Sequence, residues 1–254
     1  MGVRPGDDPG GNPDDPGRRA GSGAYEQVAE AIAAGLRGAV PAAVPGRLCA
    51  VAVALLPVSG ASVSLRGDGM PVHLAASSPY AAHLAQLQAT LGDGPCRNVL
   101  QTGRPVLARD LAAADCARRW PVFAQQALGA GLRAVYALPL GSDDTCVGTL
   151  DLYRDMPGGL TTGQRRTARL VAGAMTVALM DLPYGVPDGD EPWLSGLAAD
   201  HDRVHQAIGM IMVQLGIGAD EALARLRGDA FARGRTALEV ALDVVSHRRR
   251  FDSP

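Results

Sequence analysis

The sequence predicts an α+β domain built on an antiparallel sheet, followed by an all-α three-helix bundle. Three observations carry that expectation. Between residues 57 and 182 short apolar strands come in two hairpins, with helices before, between and after them. From residue 193 onward the apolar positions instead recur at intervals of three and four, the period of packed helices. Between these regions Pro183, Gly185, Pro187, Gly189 and Pro192 interrupt the chain, so no single helix crosses from one to the other. At 254 residues the chain is long enough for two ordinary domains, each with its own buried core.

Residues 1–23 carry Pro5, Pro9, Pro13 and Pro16 among Gly and Asp, without an apolar run, and read as a disordered tail. The first domain is expected over 24–182. Helices over 25–40 and 47–56, parted by Pro41 and Pro45, precede strands over 58–65 and 71–76 that pair across the turn Arg66, Gly67, Asp68, Gly69. A helix over 80–91 leads through Gly92, Asp93, Gly94 and Pro95 into another over 96–102. There follow a short edge strand at 105–108, a helix over 119–128, a hairpin of 132–140 with 146–153, and a long helix over 162–182. Residues 183–192 form the linker, and 193–254 the bundle.

In the bundle, Leu194, Leu197, His201, Val204, Ile208, Ile211 and Leu215 keep one seam along a first helix. Its flanks are polar at Asp200, Asp202, Arg203 and Gln206, whereas 207–213 is apolar on nearly every side and is expected to be enclosed. We read the narrow early part, Leu194, Leu197, His201 and Val204, as a homodimer seam. Ala222, Leu223, Leu226 and Ala230 make one face of a second helix over 219–233. Thr236 three residues before Glu239 is the reciprocal capping arrangement that opens a third, with Ala237, Val240, Ala241, Val244 and Val245 inside.

Composition excludes some classes of function. With 24 basic and 26 acidic residues the net charge is −2, so no global polycation speaks for nucleic acid. Every basic side chain apart from His is Arg, which forks onto phosphates and stacks on unpaired bases. Cys49, Cys96, Cys116 and Cys146 are widely spaced, as expected of reduced thiols. Neither a leader nor a bilayer-length apolar segment is evident, so the protein is expected to be cytoplasmic, with no membrane partner.

Val204 and Gln206 to Met212, Asp220 to Ala222, Leu226 with Arg227, Ala230, and Leu238 to Ala241 together resemble the ANTAR module, an RNA-binding antitermination domain of bacterial regulators. The resemblance implies that paired modules bind two stem-loops in a nascent transcript and prevent a terminator hairpin from forming. Further upstream, Leu91 to Cys96, Thr102 to Val106, Ala137 to Leu140 and Val147 to Leu150 resemble a GAF sensor domain over roughly 48–182. Relatives of that kind bind varied small ligands or none. The full expectation is therefore an antiparallel-sheet GAF-like sensor domain followed by a three-helix ANTAR bundle, with RNA stem-loops as partner, a homodimer as assembly, and an unidentified small-molecule ligand for the sensor.

No catalytic set emerges, and no cofactor or metal is expected. His201 and His205 flank Asp202 one helical turn apart, close to a zinc-peptidase pattern, but Asp is shorter than the Glu of that motif and no third ligand follows. We read the two imidazoles as packing or pH-sensitive pairing at the dimer interface. Cys96 follows a tight turn near a helix start, where the dipole lowers a thiol's pKa, although a buried apolar role fits it better. Gly92 and Gly94 lack the Gly-Lys-Ser/Thr of a phosphate loop and are read as turn residues. Ser142, Asp143 and Asp144 are read as a hairpin tip. His73, Tyr80, His83 and Trp120 are candidates to approach a sensor pocket.

From residue 193 the eight Arg balance eight acids, so position rather than charge must carry an RNA reading. Arg crowds the last two helices. Arg227, Arg233 and Arg235 are the first candidates, then Arg225, with Arg203, His205 and Gln206 near the first helix. Two other classes remain: a DNA-binding regulator, since helix, turn with Gly234 and helix resembles helix-turn-helix, and a dimerisation or partner-docking module. A reading helix that opens Ala237, Leu238, Glu239 is poor in donors for base edges.

Overall fold

A computed structural model describes residues 16–142, 145–181 and 192–252, and of 16–22, 24 and 192–198 the backbone alone. Helix α1 (Pro16–Leu36) runs back into the stretch read as tail, with Pro at its first position, where the missing N–H is no loss. It ends before Gly38, whose φ of 66° turns the chain toward Pro41, so the helix stops short of residue 40. A 3-10 turn (Pro41–Ala43) leads directly into α2 (Val44–Leu55).

Strands β1 (Gly60–Leu65) and β2 (Val72–Ala76) form the first hairpin, and α3 (Pro79–Leu91) and α4 (Pro95–Thr102) follow. After β3 (Val106–Ala108) the expected single helix is two, α5 (Ala114–Arg119) and α6 (Pro121–Gly129). Trp120 breaks them at φ −138°, ψ 66°, because Pro121 pushes the preceding residue out of the helical region. Strands β4 (Ala134–Gly141) and β5 (Cys146–Arg154) and helix α7 (Thr162–Met180) complete the domain. The tip residues Asp143 and Asp144 lie outside the described residues.

The five strands lie in the order β2-β1-β5-β4-β3, every pair antiparallel, with β3 at the edge as expected. Because side chains alternate across a strand, the sheet builds two cores. On one face Ala61 and Val63, Tyr136 and Leu138, Leu150 and Leu152 pack against Leu48 and Ala52 of α2 and Val171 and Met175 of α7. On the other, Val135, Ala137 and Tyr153 meet Leu84, Val99, Phe123 and Ala127 from α3, α4 and α6.

The bundle comprises α8 (Pro192–Leu215), α9 (Ala219–Ala232) and α10 (Ala237–Val245). Ala207, Ile211, Ala222, Leu226, Ala230, Ala241 and Val244 are fully enclosed between them. Thr236 accepts from the Glu239 N–H while the Glu239 carboxylate accepts from the Thr236 N–H, the expected reciprocal cap. The expectation that 207–213 is enclosed all round fails at one side: Gly209 is exposed and Val213 is 86% exposed. The other two helices cover only two sides of α8 there, leaving the third to solvent.

Candidate sensor core and nucleic-acid interface

The strand alternation that fills the second core also places polar side chains in it. Ser62 and Ser64 on β1 stand in register with Asp151 and Thr149 on β5, and all are buried. Gln88 of α3 reaches down among them. Its Nε2 donates to Asp151 Oδ2 at 3.3 Å and to the Tyr153 hydroxyl at 3.4 Å, while its Oε1 accepts the Cys96 N–H at 2.9 Å and so caps the start of α4. Tyr153 pairs with Ser62 at 2.8 Å. Asp151 is fully buried, its Oδ1 has no hydrogen-bond partner among the described residues, and burial pushes its carboxyl up to about 7 against the pull of contacts with Cys96, Gln88 and Thr149. The cluster is thus a hydrogen-bonded core that is neutral below about pH 7, rather than an ion pair.

Cys96 does sit in the first turn of α4, but the thiol is 2% exposed, lies 3.3 Å from Thr149 Oγ1, and is pushed up by burial and by Asp151. Desolvation outweighs the helix dipole, so this is a packed thiol and not a reactive thiolate. Gly92 and Gly94 adopt φ of 63° and 118° as turn residues. The aromatic candidates do not converge. Tyr80 donates to the Ala130 carbonyl, Trp120 Nε1 donates to Asn98 Oδ1, His83 is exposed, and His73 lies at the junction with the bundle.

That junction joins the β1–β2 turn and the end of α3 to all three bundle helices. Arg66 holds the turn in place, its Nε donating to the Cys146 carbonyl at 2.7 Å and its Nη2 to the Leu100 carbonyl. Met70 packs on the bundle core, and Leu223 lies against Gly69. The Thr90 hydroxyl accepts the buried Ala237 N–H at 3.0 Å, capping α10 from the other domain. Arg227 lies between the two domains: Nη2 donates to the Gly69 carbonyl at 2.9 Å, Nε is buried without a partner among the described residues, and a Cβ on Gly92 would lie 2.5 Å from Nη1. Burial, together with nearby Arg97, lowers its pKa to about 10, and no carboxylate pairs with it among the described residues.

The other Arg candidates are held within the bundle. Arg233 and Arg249 share Asp229 at 2.9 and 2.6 Å, Arg235 and Arg248 share Asp243, and Arg225 pairs with Glu221 at 3.5 Å across one helical turn. Arg203, His205 and Gln206 are exposed on α8. His205 Nε2 and His201 Nε2 are 3.0 Å apart, and burial and the neighbouring imidazole lower the pKa of His201. His201 also faces Gly67 of the sensor turn. Of the seam residues, Leu194 and Leu197 lie outside the described side chains. Val204 is 3% exposed and packs in the bundle core, while His201 is half-buried. At Val204 the three-four spacing serves packing within this chain. Sequence reasoning missed the Asp151 cluster, although polar residues at 149, 151 and 153 in one strand mark a face that is not simply apolar.

Among the described residues no single helix is long and apolar enough to cross a membrane. A GAF domain model matches residues 42–180, and an ANTAR domain model matches residues 194–245. No curated protein matches the chain in sequence. Similar solved structures include the GAF domain of an Acinetobacter phosphoenolpyruvate-protein phosphotransferase, at 9% identity over 61% of this chain and 92% of that one, TM-score 0.47. The corresponding domain from Coxiella burnetii shares 13% identity over 63% and 92%, TM-score 0.46. Free methionine-R-sulfoxide reductase from Neisseria meningitidis shares 15% over 62% and 88%, TM-score 0.45.

Proposed function

The chain belongs to the GAF-ANTAR two-domain regulators, and from that premise we propose that its sensor domain governs the access of the C-terminal bundle to RNA stem-loops in nascent transcripts, promoting readthrough. The protein acts in the cytoplasm as a regulator rather than a catalyst, and its active form is a homodimer that engages stem-loops in pairs. The observation that carries the reading is Arg227. A guanidinium suited to a phosphate lies under the sensor domain with one carbonyl for a partner, so the arrangement favours a closed state in which an RNA-binding cation is withheld. A small ligand of the sensor acts by binding the open arrangement more tightly than the closed one.

The test is a titration of the full chain against labelled tandem stem-loop RNA, scrambled RNA and duplex DNA at two salt concentrations, with sedimentation alongside to read the oligomeric state. It is repeated with Thr90→Val. That substitution leaves the Ala237 N–H unsatisfied only in the closed state, at a cost of roughly 1–3 kcal/mol. Stem-loop affinity should therefore rise in the variant, by about tenfold if closure dominates the unliganded protein. Equal binding to all three nucleic acids by folded wild-type and variant proteins would sink the RNA reading.

A further inference from the structure

The bundle's open side carries a second feature that the junction does not use. Gly209, Met210 and Val213 of α8 floor a shallow hollow of about 600 Å³, with Gln206 and Gln214 on its walls. The segment after α10 forms its far rim. His247, in the left-handed region at φ 59°, turns the chain back, Phe251 is buried against the bundle with its N–H on Gln214 Oε1 at 2.8 Å, and Arg249 and Arg250 stand along the edge. Arg249 is fixed by Asp229 and by the Phe251 ring 5.1 Å away, whereas Arg250 is exposed with no ion-pair partner among the described residues. No acid lines the hollow.

Resting on the RNA reading above, we infer that this hollow is a base-binding site, taking one unstacked nucleobase from an RNA loop with its flanking phosphates on Arg250 and His247. The chemistry of the lining favours that occupant. A thioether and a valine provide an apolar, polarizable floor for a base face, and Gly209 lets the ring approach the helix backbone. Gln206 offers a carboxamide to a base edge, and Gln214, held by the Phe251 amide, positions the rim against it. Arg250 on this edge, with no ion-pair partner among the described residues, matches phosphate charge. A second copy of the chain fits this face less well, because a two-fold contact sets the unneutralised Arg250 of each copy against the same cationic rim of the other. The hollow is lined by bundle residues alone, so it stays open while Arg227 is covered.

The experiment uses the full chain and the labelled tandem stem-loop RNA, with Val213→Glu, which places a carboxylate on the floor, and Arg250→Ala, which removes an Arg that has no ion-pair partner among the described residues. Sedimentation and thermal unfolding accompany each titration. Expected is a fall in stem-loop affinity of about tenfold or more for Val213→Glu and a smaller fall for Arg250→Ala, with the salt slope of the latter reduced by about one. Wild-type affinity in both folded variants overturns the hollow as the site while leaving the RNA reading intact. Loss of a dimer in Val213→Glu with unchanged RNA binding in Arg250→Ala assigns the face to self-association and also overturns it. Failure of wild type and Thr90→Val alike to select the stem-loop removes the RNA reading, and the hollow's role with it.

Discussion

Asp151 is fully buried and Arg227 partly buried at the domain junction, and among the described residues no opposite charge pairs with either, yet they meet the problem differently. Asp151, enclosed by the sheet and α3, keeps its proton: burial raises its pKa to about 7, and a neutral carboxyl asks only for hydrogen bonds. Arg227 has no such exit. Its pKa falls only to about 10, so it remains a cation with one carbonyl partner and a buried Nε left unpaired. The acid belongs to the core and can stay there, whereas the partly buried cation would gain further solvation or a phosphate if the domains parted. On the proposed function, the movable element therefore lies at the domain junction rather than inside the sheet.

The largest effect expected from breaking this contrast is in the sensor core. Below about pH 4 the Asp151 carboxyl is protonated whether the chain is folded or unfolded, and its full contribution to stability is present. As pH rises the unfolded chain ionises first, so stability falls until the folded carboxyl ionises near pH 7. The loss over that window is about 4 kcal/mol. Asp151→Asn keeps an acceptor for Gln88 and removes the ionisation, so urea unfolding should show the variant gaining on wild type between about pH 4 and 7 and holding that gain above it. The His201 and His73 imidazoles, whose pKa values are lowered, act oppositely as pH falls, but they are common to both proteins. A constant difference across the range would mean that Asp151 is ionised in the folded core and has found a partner.

A smaller effect is expected at the junction. Arg227→Met fills much of the same volume without a charge, and replacing a poorly compensated, partly buried cation in this way should stabilise the closed form. The closed form should tighten, seen as slower hydrogen exchange at the Ala237 amide, while stem-loop affinity falls because both the phosphate partner and the open population are reduced. Faster exchange at Ala237 would show instead that the Gly69 carbonyl bond holds the domains together and that Arg227 is a tether, not a strained cation.

The sequence made the two domains legible because each period is tied to one kind of packing. Short apolar runs over 58–65 and 146–153 marked strands, and Thr236 with Glu239 marked the start of α10. Its limits are as physical as its successes. Trp120 splits a helix because of the proline after it, and the capping of α10 by Thr90 spans 147 positions, which no local pattern encodes. The Arg candidates were visible as charges, but which of them answer Asp229 or Asp243 depends on helices meeting in space. Arg227 and Arg233 look equivalent along the chain. Only the docked turn at Gly69 separates them.

The smallest expected effect belongs to a cation that has both water and a counterion. Arg225 and Glu221 lie one turn apart on α9 at 3.5 Å, each side chain about half exposed, with the acid N-terminal as the helix dipole prefers. Arg225→Ala should change stability by less than about 0.5 kcal/mol, and stem-loop affinity by no more than the loss of one diffuse surface charge. That near silence would confine RNA contact to groups either withheld at the junction or free at the open rim. A tenfold loss of affinity at unchanged stability would instead place a phosphate against the exposed face of α9. Arg225 would then stand two residues from Arg227 as part of one continuous cationic track, and closure of the sensor would cover the end of that track rather than a separate site.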